Sequence, residues 1–235
     1  MKTKALFDAK RLIAQIVTDV VNLEDINYTV PEVQTLLDGI TVGGHKLQDE
    51  LITLNQIKAW QFLFASIEQG EFVVSKDYLL RLHALVANQE ALSWGEFRTG
   101  QVSISGTDYL PPKHDKLDLL WSQLAEDVNN KLAQDFALNQ KEPMAADIYA
   151  VAIHLFGQMA RTQFFFDGNK RTARMMMSGI LLSHGLPMIN VPAKRKLEFN
   201  QMMIDYYNTE QFDPLLNFML SCIPDYIKEE YNLKV

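Results

Sequence analysis

Apolar residues recur at helical spacing along almost the whole of this chain, and a single stretch breaks the pattern. The spacing predicts helices over about 6–23, 31–38, 47–70, 75–90, 114–137, 144–162, 169–185, 194–208 and 211–231. Segment 99–112 differs: Val102 and Ile104 alternate with small polar residues around Gly106, and Pro111-Pro112 closes the run. That pattern predicts a short β-hairpin. With 235 residues and 48% hydrophobic content, the chain is long enough for one substantial core. No repeat, low-complexity tract or linker divides it. The expected fold is all-α, a single domain with one small β insertion.

Composition narrows the function classes. The net charge is −7 and no Lys/Arg-rich run occurs, which argues against a nucleic-acid partner. The single cysteine, Cys222, excludes an intramolecular disulfide and a cysteine-based zinc site, and suits a reducing cytoplasm. The N-terminal residues lack a signal-peptide core, and the longest apolar runs fall short of a membrane span. The expectation is a cytoplasmic protein without a membrane partner. The apolar face of 6–23, with Leu6, Ile16, Val17 and Val20, either packs on the core or forms a homodimer surface, and the sequence leaves both open. Met175-Met176-Met177 reads as adaptable core packing.

The chemistry concentrates at Gln163-Phe-Phe-Phe-Asp167-Gly168-Asn169-Lys170-Arg171-Thr-Ala-Arg174, which runs directly into an apolar helix. The exposed N–H groups and positive dipole end of a helix N-terminus attract anions, phosphate above all. Arg171 and Arg174, three residues apart, lie on one helix face. Asp167 suits a divalent cation held against a phosphate chain, because hard cations prefer oxygen. The competing explanation is a plain helix cap, since Asp, Gly and Asn are common at such turns. Spacing alone does not separate the two.

The run resembles the signature of the Fic (filamentation induced by cAMP) family, H-x-F-x-[DE]-G-N-[GK]-R-x-x-R. Phe165, Asp167, Gly168, Asn169, Lys170, Arg171 and Arg174 match it, and Gln163 stands where the family has histidine. Trp94-Gly-Glu-Phe-Arg98 followed by Val102, Ile104, Gly106, Tyr109 and Pro112 resembles the flap region before the family core. The likeness covers roughly residues 30–222, strongest at 144–190, and leaves an N-terminal helical extension. It implies a Fic-type helical core with a β-hairpin flap. It also implies ATP and Mg²⁺ as cofactors, and transfer of AMP to a Ser, Thr or Tyr hydroxyl of a target protein. By resemblance, Asp167 would hold Mg²⁺, and Gly168, Asn169, Lys170 and Arg171 would form an anion hole. Arg171 and Arg174 would clamp the outer phosphates, and Val102, Ile104, Gly106 and Tyr109 would hold the target segment by strand addition, the alternative for that hairpin being plain structural packing.

Two departures bear on activity. The family histidine is a general base; a carboxamide has no titratable group near neutral pH, so Gln163 cannot replace it. Glutamine can still orient a nucleophile, because phosphoryl transfer depends mostly on positioning and electrostatics. The result is a slow enzyme, a different acceptor, or a silent nucleotide-binding member. Lys170 stands where AMP-transferring members usually carry glycine, and resembles the death-on-curing branch, whose toxin member phosphorylates its target. The other histidines, His154 among them, carry no mark of a substitute base.

Many family members also carry an inhibitory helix, [ST]-x-x-x-E-[GN], whose glutamate pairs with the last motif arginine. The nearest match is Gln34-Thr-Leu-Leu-Asp38-Gly39, which nominates an Asp38–Arg174 pair. The alternative is that Asp38-Gly39 simply ends a helix.

Overall fold

The computed structural model describes residues 2–137 and 144–235, and among them every regular element is a helix. In order these are α1 (Lys2–Arg11), α2 (Ile13–Leu23), α3 (Val30–Leu37), α4 (Leu47–Gln69), α5 (Lys76–Val86) and α6 (Leu117–Ala137). They are followed by α7 (Ala145–Thr162), α8 (Asn169–Ser183), α9 (Lys196–Thr209), α10 (Phe212–Ser221) and α11 (Asp225–Glu230). Local chemistry sets the boundaries. Thr29 and Glu32 form a capping box at the start of α3, and Ser75 caps α5 by accepting from the Tyr78 N–H at 3.2 Å. Gly70, at φ +73°, ends α4 in the left-handed conformation.

Two predicted helices are divided. The 6–23 helix breaks at Leu12, and both halves then bury their apolar residues: Ala5, Leu6 and Ala9 on α1, Ile16, Val17, Val20 and Val21 on α2. This face therefore packs within the chain. The 211–231 helix stops at Ser221 and resumes at Asp225, because Pro224 cannot donate an intrahelical bond.

The predicted hairpin at 99–112 does not form. Residues 101–112 run as an extended loop with a turn at Ser105-Gly106, and no strand occurs among the described residues. The groups a ladder would need are engaged elsewhere. Arg98 donates to the Gly100 and Pro112 carbonyls, Gln101 Nε2 donates to Pro111 O at 2.9 Å, and the Tyr109 N–H donates to Thr107 Oγ1 at 3.0 Å. Pro111 and Pro112 have no N–H to offer.

The core centres on α8, which packs most extensively on α7 and also meets α1, α4 and α5. Met175, Met176, Met177, Ile180, Leu181 and Leu182 are all buried, so the helix has no solvent face over these turns. Among the described residues, no helix is long and apolar enough to cross a membrane.

Close approach to α8 requires glycine at one point. A Cβ on Gly179 would lie 2.1 Å from Cε2 and 2.4 Å from Cζ of Phe72, well inside contact distance. Gly179→Ala should therefore destabilise the fold by about 1–3 kcal/mol through overpacking. Calorimetric melting would show the loss, and Gly179→Ala combined with Phe72→Leu should recover most of it. An unchanged melting temperature in the single variant would contradict this packing.

Candidate functional site

Residues 163–168 connect α7 to α8 across the interior, and their backbone is held by its carbonyl groups. Arg98 Nε donates to Gln163 O at 2.6 Å, and the Arg98 N–H donates to Phe164 O at 2.9 Å. Asn169 Nδ2 donates to Phe165 O at 2.9 Å, while Asn169 Oδ1 accepts the Phe165 N–H. His83 Nε2 lies 3.0 Å from Asp167 O. With these oxygens turned inward, α8 begins at Gly168, whose left-handed φ of +71° only glycine adopts without strain. The first intrahelical bond runs from Thr172 N to Gly168 O at 2.9 Å. The N–H groups of Asn169, Lys170 and Arg171 precede it and have no intrahelical acceptor.

Gln163 occupies the C-cap of α7 at φ +53°. Its Nε2 donates to Ala160 O at 2.6 Å, and its Oε1 accepts from Asn169 Nδ2 at 2.9 Å. Both ends of the carboxamide are thus engaged in bracing the loop. Asp167 is the exposed member of the group, with 59% of its side chain open to solvent. Its Oδ1 accepts the Gly168 N–H at 2.6 Å.

The two motif arginines meet different fates. Arg171 forms a two-pronged pair with buried Glu90, NH1 donating to Oε2 at 2.8 Å and NH2 to Oε1. Burial alone would lower its pKa, but the hydrogen bonds and charge of Glu90 prevail and raise it. Arg174 has only 4% of its side chain exposed, and among the described residues none of its three guanidinium nitrogens has a hydrogen-bond partner. The nearest carboxylate oxygen, Glu24 Oε1, is 3.9 Å away, and the guanidinium lies over the Phe199 ring at 5.1 Å. Burial holds its pKa below the usual range, against the pull of Glu24.

Glu24 follows the last residue of α2 and faces the start of α8. Lys170 Nζ is 3.7 Å from its Oε2, so Lys170 points to this carboxylate and not to solvent. Burial works against the Glu24 charge, yet Lys170 and Arg174 outweigh it and hold the carboxyl below its usual range. Burial likewise lowers Lys170, with Glu24 opposing. Glu24, Gln163, Asp167, Gly168, Asn169, Lys170 and Arg171 are among the residues lining a cavity of about 80 Å³. Larger cavities, of about 470, 680 and 770 Å³, lie elsewhere and contain no motif residue.

The structure thus brings Gln163, Asp167, Gly168, Asn169, Lys170, Arg171 and Arg174 together. Arg98 ties both ends of the loop carrying Val102, Ile104, Gly106 and Tyr109 to the Gln163 carbonyl. Asp38 is not brought in. It is exposed at the end of α3, where its Oδ1 accepts from Gln34 Nε2 at 3.0 Å, and the carboxylate facing Arg174 is Glu24. Sequence reasoning missed Glu24, Glu90 and His83. Glu24 did carry a signal: a glutamate at a helix C-terminus opposes the dipole, which points to a cation elsewhere in the fold. Glu90 and His83 carried none that spacing could reveal.

The helical fold recurs in known proteins. The protein adenylyltransferase Fic of Drosophila mojavensis is 23% identical over 203 residues, covering 86% of this chain and 38% of that protein. The chain therefore spans about two fifths of the length of the curated relatives it matches. A Fic domain-containing signaling protein from Bacteroides thetaiotaomicron superposes with a TM-score of 0.77 at 17% identity, over 99% of this chain and 91% of that one. The BepC protein of Bartonella tribocorum with bound AMPPNP superposes with a TM-score of 0.50 at 15% identity, over 70% of this chain and 86% of that one. Residues 73–181, which include the whole 163–174 motif, match the Fic/DOC family model.

Proposed function

We propose that this chain binds ATP with Mg²⁺ at the N-terminus of α8 and transfers AMP to a Ser, Thr or Tyr hydroxyl of a target protein, slowly because Gln163 replaces the base. The observation that carries the anion part of this reading is Arg174. A buried guanidinium with no hydrogen bond is costly, and such groups persist where an anion is to be met. It lies one turn along the helix whose first residues, Asn169, Lys170 and Arg171, line the small cavity, and Glu24 of that lining is the carboxylate 3.9 Å from it. The names of the relatives, protein adenylyltransferases, support AMP as the group transferred.

Each residue has a part consistent with its geometry. The exposed Asp167 carboxylate suits Mg²⁺, which binds through one or two carboxylates together with substrate phosphates. Bound there, the ion would neutralise charge on the phosphate oxygens. The N–H groups of 169–171 would receive phosphate oxygens, and Arg174 would clamp an outer phosphate. Arg171, held by Glu90, contributes positive charge more than free donors. Arg98 would keep the 100–112 loop, as the acceptor platform, in register with position 163.

Glu24 limits what can enter. The cavity of about 80 Å³ is small, and the Glu24 carboxylate stands in it, 3.7 Å from Lys170 Nζ and 3.9 Å from the Arg174 guanidinium. In this reading Glu24 is the blocking carboxylate, in place of Asp38. A second reading, a silent nucleotide-binding member, is favoured by one observation: both ends of the Gln163 carboxamide are already bonded within the loop.

Two experiments follow. Glu24→Ala should tighten ATP binding roughly 5- to 100-fold, in the range of a single coupling between sites, and Asp38→Ala should leave it unchanged. Titration calorimetry with ATP and Mg²⁺ measures both; equal affinities for wild type and Glu24→Ala would remove Glu24 from the gate. In the Glu24→Ala background, Gln163→His should raise transfer of α-label from ATP to protein by about 100- to 10,000-fold, the worth of a positioned base. Label from the γ-position alone would replace AMP transfer with kinase-like chemistry. No label with either histidine or glutamine at 163, although ATP binds, would establish the silent reading.

A further inference from the structure

His83 sits on α5, 80 residues before the motif, yet it touches the motif at its centre. Its side chain is fully buried, and its ring stacks on Phe165 with centroids 3.5 Å apart and planes 9° from parallel. Nδ1 lies 3.1 Å from the Gly95 backbone N–H, and Nε2 lies 3.0 Å from the Asp167 carbonyl oxygen. A backbone N–H can only donate and a carbonyl can only accept. The tautomer is therefore fixed: Nδ1 accepts from Gly95, and the proton is on Nε2, which donates to Asp167 O. Neither nitrogen is left to take a proton from an acceptor hydroxyl, so His83 is not a base in place of the missing histidine.

Its position suggests another task. The Asp167 carbonyl belongs to the peptide that joins the exposed carboxylate residue to Gly168, the cap of α8. A Cβ on Gly168 would come within 3.3 Å of Val86 and 3.5 Å of both Ala87 and His83 Nε2, so this peptide rests directly on the end of α5. Rotating it would swing both the Asp167 carboxylate and the first N–H groups of α8. The same imidazole anchors Gly95, and Glu90, the carboxylate that grips Arg171, lies in the 87–95 turn that Gly95 closes.

We infer that His83 is a positioning residue of the phosphate site, whose donor on Nε2 fixes the Asp167 peptide and with it the direction of the Asp167 carboxylate and of the α8 N–H groups. The inference rests on the ATP–Mg²⁺ reading of that site. It assigns His83 no contact with substrate.

Two amide substitutions separate positioning from mere packing. The amide nitrogen of glutamine reaches where Nε2 stands and can donate to Asp167 O, while the bond from Gly95 is lost. Asparagine reaches only as far as Nδ1, so it can accept from Gly95 but leaves Asp167 O without its donor. Each variant loses one of the two ring bonds and the stack on Phe165, and both should melt at a lower temperature by similar amounts. Their effect on ligand should differ. In the Glu24→Ala background, titration with ATP and Mg²⁺ should give His83→Gln an affinity within about twofold of the parent, and His83→Asn one weaker by roughly tenfold, the worth of one hydrogen bond. Equal weakening in the two variants, in step with their melting temperatures, would overturn the inference and leave His83 a packing residue. Should His83→Asn not fold, His83→Gln decides alone, since a large loss of affinity in it contradicts the assignment. Absence of ATP binding in the Glu24→Ala parent would instead overturn the reading of the site, and this inference with it.

Discussion

Burial of α8 on all sides is the constraint on which the rest depends. The helix supplies the core with three consecutive methionines and an Ile-Leu-Leu turn, and it is enclosed by α1, α4, α5 and α7. A helix without a solvent face carries its charged residues inward as well. Arg171 and Arg174 therefore cannot extend into water, as long basic side chains ordinarily do. Each must be answered from within the fold. Arg171 is answered fully by Glu90, in two-pronged geometry; Arg174 is answered incompletely by Glu24, at a distance too great for a hydrogen bond. The contrast separates a fully paired arginine from one whose guanidinium, among the described residues, makes no hydrogen bond. Both arise from one packing decision.

The same enclosure shapes the loop before α8. An irregular segment in the interior must satisfy its backbone polar groups locally. Four carbonyls between 163 and 167 find donors in Arg98, Asn169 and His83, residues from three different parts of the chain. Arg98 is buried with no carboxylate partner among the described residues, and carbonyl oxygens stand in for one. Because the donors are fixed, the loop tolerates Gln163 at positive φ, a conformation that disfavours side chains with a Cβ. Rigidity here is a by-product of satisfying hydrogen bonds, and it aims the free N–H groups of α8 at one small volume.

Much of this was legible in the sequence, and the gaps have physical causes. Helical periodicity places nine segments within a few residues of the observed helices, because amphipathic burial is a local pattern. It misses the break at Leu12, where a second apolar face begins without any breaker residue. It overran Pro224, where a breaker was present. The hairpin was misjudged for a different reason: alternation at Val102 and Ile104 suits any extended segment, and the competition of Arg98, Gln101 and Thr107 for its backbone groups is tertiary. The motif residues from 163 to 174 come together as expected because they are contiguous. His83 and Glu90 join them from about 80 residues away, through contacts that no spacing rule encodes.

Glu24 and Asp38 show how local electrostatics can discriminate where a pattern does not. Both are acidic residues immediately after a helix, where the dipole opposes a negative charge. Asp38 is exposed, so water screens the unfavourable term and a glutamine amide one turn earlier, Gln34, completes its bonding. Nothing further is required of the fold. Glu24 lies toward the interior, where screening is weak and the same term is larger. Lys170 and Arg174 hold it ionised there against burial, and its charge in turn opposes the lowering that burial imposes on both cations. The three groups therefore stabilise one another at the edge of one small cavity. An incoming phosphate would meet the two cations and displace the one anion, substituting charge for charge without leaving either cation unpaired. A carboxylate held by ion contacts at 3.7 and 3.9 Å, with no hydrogen bond to Arg174, is poised for such an exchange in a way that the tightly gripped Glu90 is not.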